Sequence, residues 1–138
     1  MSDFVLDASL SLQEFREDEA DRKYSLAVLR LLSKKRALVP FLWFYEVGNG
    51  LLMAYRRERI TLDPMDGFVA RLKALPVIAA YQSPPDILEL PDLARTYART
   101  NYDAAYLALA KGSNLPLATT DKLLLEASSA AGVPIVDV

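Results

Sequence analysis

The sequence predicts an α/β fold built on a parallel sheet of about five short strands with helices on both faces. Short apolar runs alternate with longer helix-prone stretches from one end of the chain to the other. No internal repeat, low-complexity tract or linker interrupts that alternation, and a length of 138 residues suits a single domain spanning 1–138.

Phe4-Val5-Leu6 reads as the first strand, with Asp7 at its C-terminal end. From Asp21 to Lys35, Leu26, Leu29 and Leu32, with Tyr24, Ala27 and Leu31 near them, recur at helical spacing. Ala37 to Pro40 is the second strand. Phe41 to Arg59 follows as a long helix in which Trp43, Val47, Leu51 and Ala54 share a face. Thr61 is placed to cap a helix running to about Ala74, Pro76 to Ala79 is the third strand, and Pro84-Pro85 opens a further helical region. The stretch Tyr102 to Lys111, apolar nearly all round, predicts a buried helix stopped by Gly112. Leu115 to Thr119 is the fourth strand; a helix from Asp121 to about Ala131, with Gly132 as its stop, leads to a last strand at Ile135-Val136.

Composition narrows the chemistry. The chain has neither cysteine nor histidine, which excludes disulfides, thiolate nucleophiles, cysteine-bound metals and the Ser-His-Asp arrangement, and removes the commonest general base. Catalysis would have to run on carboxylates, lysines, tyrosines, hydroxyls or a hard cation. No apolar run is long enough for a membrane span, and Asp3 and Asp7 stand where a secretory signal would carry basic residues, so a cytoplasmic location is expected. Sixteen basic against eighteen acidic side chains leave a formal charge of −2, so a polyanion would be drawn only by local basic patches.

Most acids lie in polar stretches such as Glu14 to Glu19 and read as solvated. Four do not: Asp7 ends Phe4-Val5-Leu6, Glu46 follows Phe41 to Tyr45, Asp103 precedes Ala104 to Leu107, and Asp121 follows Leu117-Ala118. Taking a carboxylate out of water costs several kcal/mol unless it is paired, protonated or bound to a cation, and only Lys122 adjoins any of the four. In a parallel sheet the C-terminal strand ends and the starts of the neighbouring helices share one edge, which would let the four converge. Crowded carboxylate oxygens select a hard divalent ion, Mg2+ or Mn2+. Ser9, Asn49 and Thr119, at short spacings from Asp7, Glu46 and Asp121, are the neutral polar residues expected to support them.

These segments resemble the PIN-domain ribonucleases, and within them the VapC toxins of toxin-antitoxin pairs. Val5-Leu6-Asp7-Ala8-Ser9 is similar to the family's opening strand and first acid. Val39 to Trp43, with Glu46 to Leu51, is similar to the segment around its glutamate, Asn101 to Ala110 to its most recognisable stretch, and Leu117 to Leu123 to its closing motif. The family often has alanine at the place of Gly48, and a glycine-leucine pair near the place of Ala98 to Asn101; neither departure touches an acid. The resemblance implies a PIN-like three-layer sandwich, divalent-metal-dependent endonuclease activity on RNA, homodimerisation and inhibition by a cognate VapB-like antitoxin. It assigns the acidic cluster to Asp7, Glu46, Asp103 and Asp121, with Thr119 and Asn49 in support.

On this reading one or two Mg2+ ions activate water and stabilise charge on the scissile phosphate, with Asp7 and Asp103 as direct ligands. Arg56 and Lys122 are the first candidates to hold RNA, ahead of Lys34-Lys35-Arg36, Arg57 and Arg59. Trp43, Phe44, Tyr45, Leu51, Leu52 and Met53 exceed what one buried helix face needs, which fits either core or a partner surface. Two other classes stay open: a catalytically silent scaffold of the same fold, and a phospho-acceptor signalling domain, which Lys122 directly after Asp121 fits badly.

Overall fold

The computed structural model describes residues 3–13, 19–82 and 85–138; residues 14–18 of the solvated acidic stretch and Pro84 lie outside them. The order of elements is β1 (Phe4–Leu6), α1 (Ala8–Ser11), α2 (Glu19–Leu31), β2 (Ala37–Val39), α3 (Leu42–Arg56), α4 (Leu62–Ala74), β3 (Val77–Ala79), α5 (Glu89–Thr96), α6 (Asn101–Ser113), β4 (Leu117–Ala118) and α7 (Lys122–Ala130). Among these residues no helix is long and apolar enough to cross a membrane.

The four strands form one parallel sheet in the order β3-β2-β1-β4. Phe4, Val5 and Leu6 are all essentially inaccessible, and since successive strand residues point to opposite faces, both faces of β1 are covered. The expected last strand is reduced to a single parallel bridge between Leu117 and Ile135, flanked by Leu117 N–H to Pro134 O at 2.9 Å and Val136 N–H to Leu117 O at 2.9 Å. Pro134 has no N–H to give the ladder, which helps to keep this edge short.

Sheet order fixes where a site belongs. From β1 the chain steps outward to β2 and β3, then α5 and α6 carry it back to β4 on the other side of β1. The direction of winding therefore reverses between β1 and β4, and in open parallel sheets a crevice opens at the C-terminal strand ends at such a point. Asp7 directly follows β1, and Thr119 to Asp121 directly follow β4.

The helices hold this edge in place. Trp43, Val47, Leu51 and Ala54 form the buried face of α3, as their spacing predicts. Phe44, Tyr45 and Leu52 of the same apolar ridge stay exposed. Gly50 lets α1 lie close to α3, because a Cβ there would collide with the Leu12 side chain. In α2 the buried residues are Ser25 and Val28, with Leu32 just beyond the helix, while Leu26 is 48% exposed; the inward face is thus rotated from the one the leucine spacing suggests. Helix α6 packs on β1 and β4 and runs through Gly112 to Asn114, whose left-handed backbone (φ 54°) ends it in place of the expected glycine.

Candidate active site

Asp7 is 7% exposed and sits where the β1 backbone turns into α1. Both hydrogen bonds to its carboxylate land on the same oxygen: Ser9 Oγ and Thr119 Oγ1 each donate to Oδ2 at 2.7 Å. Thr119 Oγ1 in turn accepts the Asp121 N–H at 3.1 Å, and Ser9 Oγ accepts from Thr120 Oγ1 at 3.2 Å. Hydroxyls thus stitch the end of β1 to the end of β4, reinforced by the Asp7 N–H to Ala118 O bond at 3.0 Å.

Glu46 lies in the second turn of α3, half-buried, and Oε1 accepts the Tyr106 hydroxyl at 2.5 Å. Asp103 is at the third position of α6; its N–H is capped by Thr100 Oγ1 at 3.0 Å. Asp121 caps α7, with Oδ1 accepting the N–H groups of Leu123 (2.9 Å) and Leu124 (3.2 Å). Among the described residues, the second oxygens of Asp7, Glu46 and Asp121 and both oxygens of Asp103 accept no hydrogen bond. No basic side chain there forms an ion pair with any of the four.

The charges sense one another. Burial raises the Asp7 pKa above the usual carboxylate value, opposed by the Ser9 and Thr119 hydroxyls and reinforced by the charges of Asp103 and Asp121. Burial likewise raises Glu46, opposed by Tyr106 and reinforced by Asp7 and Asp103. The Tyr106 phenol is pushed up, first by burial and then by its bond to Glu46. The four acids are therefore drawn into one electrostatic group with Asp7 at its centre.

No three acids among the described residues stand close enough to make a ready-made cage for one ion. An all-carboxylate set with unengaged oxygens still fits a hard cation of the Mg2+ type, because such ions keep several waters and bind through one or two carboxylates plus substrate phosphate. Of the supporting residues expected from sequence, Ser9 and Thr119 bond Asp7 directly, whereas Asn49 is exposed and bonds none of the acids. Arg56 lies exposed in the last turn of α3 and Lys122 exposed in the first turn of α7. The sequence reading missed Tyr106 and Thr120. A tyrosine in an otherwise apolar buried helix, three residues past an acid, was the available signal, since a buried phenol needs a partner.

Fold and site together define a class: a parallel α/β domain with acids following the strands where its winding reverses, Asp7 after β1 and Asp121 after β4, and two more, Glu46 and Asp103, in the early turns of α3 and α6. The model of the PIN domain family matches residues 4–129, and the chain belongs to that family. Among solved structures it resembles the crystal structure of PAE2754 from Pyrobaculum aerophilum, with a TM-score of 0.64 and 24% identity over 91% of this chain and 79% of that one. No curated protein sequence matches it. PIN domains are generally metal-dependent nucleases.

Proposed function

We propose that this PIN domain is a Mg2+-dependent endoribonuclease acting as the toxin of a VapBC-type pair, with Asp7, Glu46, Asp103 and Asp121 as its catalytic carboxylates. The observation that carries the reading is Asp7: a buried carboxylate without a basic partner among the described residues, at the reversal point of the sheet, whose charge acts together with those of Asp103, Asp121 and Glu46. A charge so placed is costly unless a cation joins it.

When bound, the ion acidifies a water and offsets charge building on the scissile phosphate. Asp7 is held by Ser9 and Thr119 through one oxygen; the other accepts no bond from the described residues and would face the ion. Asp103, with both oxygens unengaged among the described residues, would be the second direct ligand. Glu46 and Asp121, each tied through one oxygen, would bind a further ion or orient water. Thr119 bridges Asp7 and the Asp121 backbone and so keeps the ends of β1 and β4 in register. Lys122 and Arg56 are the cations assigned to the RNA backbone.

The outer face of α3 supports the partner side of the proposal. Phe41, Phe44, Tyr45, Leu52 and Tyr55 fall on one side of the helix and are 41–77% exposed, an apolar strip suited to a second copy or to an antitoxin. The test is cleavage of total tRNA and rRNA by purified protein. Cleavage that needs Mg2+ or Mn2+, stops with EDTA and is lost in Asp7→Asn supports the nuclease. Protein that leaves RNA intact with either metal sinks it and favours a silent scaffold.

A further inference from the structure

Tyr106 is 1% exposed, yet phenylalanine would fill the same space without a hydroxyl to desolvate. Its hydroxyl donates to Glu46 Oε1 at 2.5 Å and faces the backbone N–H of Ala8, next to Asp7. One side chain on α6 thus links the turn after β1 to the acid of α3. It stands three residues after Asp103, on the same face of α6.

We propose that Tyr106 is a positioning residue: its hydroxyl pins Oε1 of Glu46 to the turn that carries Asp7, so that Oε2 is the oxygen presented to the ion. Glu46 has no other protein partner among the described residues. A glutamate side chain has freely rotating bonds, and α3 fixes only its backbone; Tyr106 removes the remaining freedom. The role parallels that of Ser9 and Thr119 at Asp7, where protein donors also occupy one carboxylate oxygen. The proposal rests on the metal-nuclease reading, so its test separates the two.

The probe is Mn2+ alone, titrated by electron paramagnetic resonance into wild type, Tyr106→Phe, Glu46→Gln and the double variant, with RNA cleavage as a second readout. Loss of an outer partner of a metal ligand costs about 10- to 100-fold in affinity or activity. Tyr106→Phe should weaken Mn2+ binding or lower kcat within that range, and should add little once Glu46→Gln is present. Single and double variants whose effects simply multiply, or a folded Tyr106→Phe that binds Mn2+ and cleaves like wild type, overturn the positioning role and leave the nuclease reading standing. Wild type that binds no Mn2+ overturns both. Should Tyr106→Phe fail to fold, a crystal structure of Mn2+-loaded wild type decides: Glu46 reaching the ion through Oε2 while Oε1 keeps Tyr106 supports the role, and Glu46 turned away from Tyr106 refutes it.

Discussion

The two acids proposed as direct metal ligands are held in opposite ways. Asp7 is buried, accepts two hydroxyls on one oxygen and is fixed by the backbone on either side. Asp103, in the first turn of a helix, is half-exposed and its carboxylate bonds nothing among the described residues. A fixed carboxylate costs stability when no cation is present; a solvated one costs little, since the positive end of the helix favours an acid there. On the proposed reading the same chemical group is a rigid anchor on one side of the crevice and an adjustable ligand on the other.

That contrast breaks first at Asp7 and Asp103. Both Asp7→Asn and Asp103→Asn should reduce RNA cleavage to background, but their metal-free stabilities should differ. Asparagine at position 7 still accepts from Ser9 and Thr119 while shedding a desolvated charge, so its Tm should rise by about 4 °C, corresponding to about 1 kcal/mol. Asp103→Asn should stay within about 0.5 kcal/mol of wild type. Calorimetry in EDTA beside a cleavage assay checks both, and equal melting shifts would erase the distinction between anchor and adjustable ligand.

Thr119→Val tests the stitching behind the anchor. It keeps the shape but removes the hydroxyl that serves Asp7 and the Asp121 N–H together, in a side chain only 1% exposed. The expected cost is about 1–3 kcal/mol for the unmet polar groups and about 10- to 100-fold in cleavage. Denaturant melts with kinetics would show it. A variant as active and stable as wild type would mean that Asp7 needs no such support.

The pH dependence of the metal-free protein sharpens the same contrast. Asp7 and Glu46 have folded-state pKa values raised from 3.8 and 4.5, so the native state holds their protons more tightly than the unfolded chain does. Their contribution is favourable below those values and is lost as pH rises toward and through the raised ones. Wild type should therefore lose stability relative to an Asp7→Asn/Glu46→Gln variant between acid and neutral pH, and Mg2+ should restore it at the neutral end. A stability difference that does not vary with pH would refute this.

Much of this was legible from residue order. Each acid marks the end of a strand or lies within the first two turns of a helix, and since helix and strand order follow from hydrophobic period, their shared edge could be derived before any coordinates. Ser9 lies two residues from the acid it bonds, whereas Thr119 stood out for lying two residues before Asp121 and in fact bonds Asp7, 112 residues away. Tyr106 was missed because it sits 60 residues from Glu46, a contact that only packing creates. Asn49 was included on helical spacing alone, which places a residue near a face without saying whether that face is covered. The rotated inward face of α2 belongs to the same class, since Leu26 looks correct locally and the neighbours decide, whereas the weak last strand has a local cause in Pro134, which has no N–H to give.

The smallest expected effect lies at the rim, where the crevice meets solvent. Lys122 stands in the first turn of α7, directly after Asp121, where the helix dipole mildly disfavours a cation. Lys122→Ala should thus leave Tm unchanged or slightly higher. If its ammonium meets an RNA phosphate, the substitution should raise KM less than about tenfold with kcat unchanged, and should lower the slope of log affinity against log salt by about 1. Arg56 lies ten residues beyond Glu46 on α3, about 15 Å along the helix axis, so Arg56→Ala should alter the salt slope only if the RNA extends that far from the carboxylates. Salt titrations of RNA binding by the two variants, in Ca2+ to prevent cleavage, would measure how far the footprint reaches. A salt slope unchanged in Lys122→Ala would remove that lysine from the binding surface, even though it adjoins the acids in sequence.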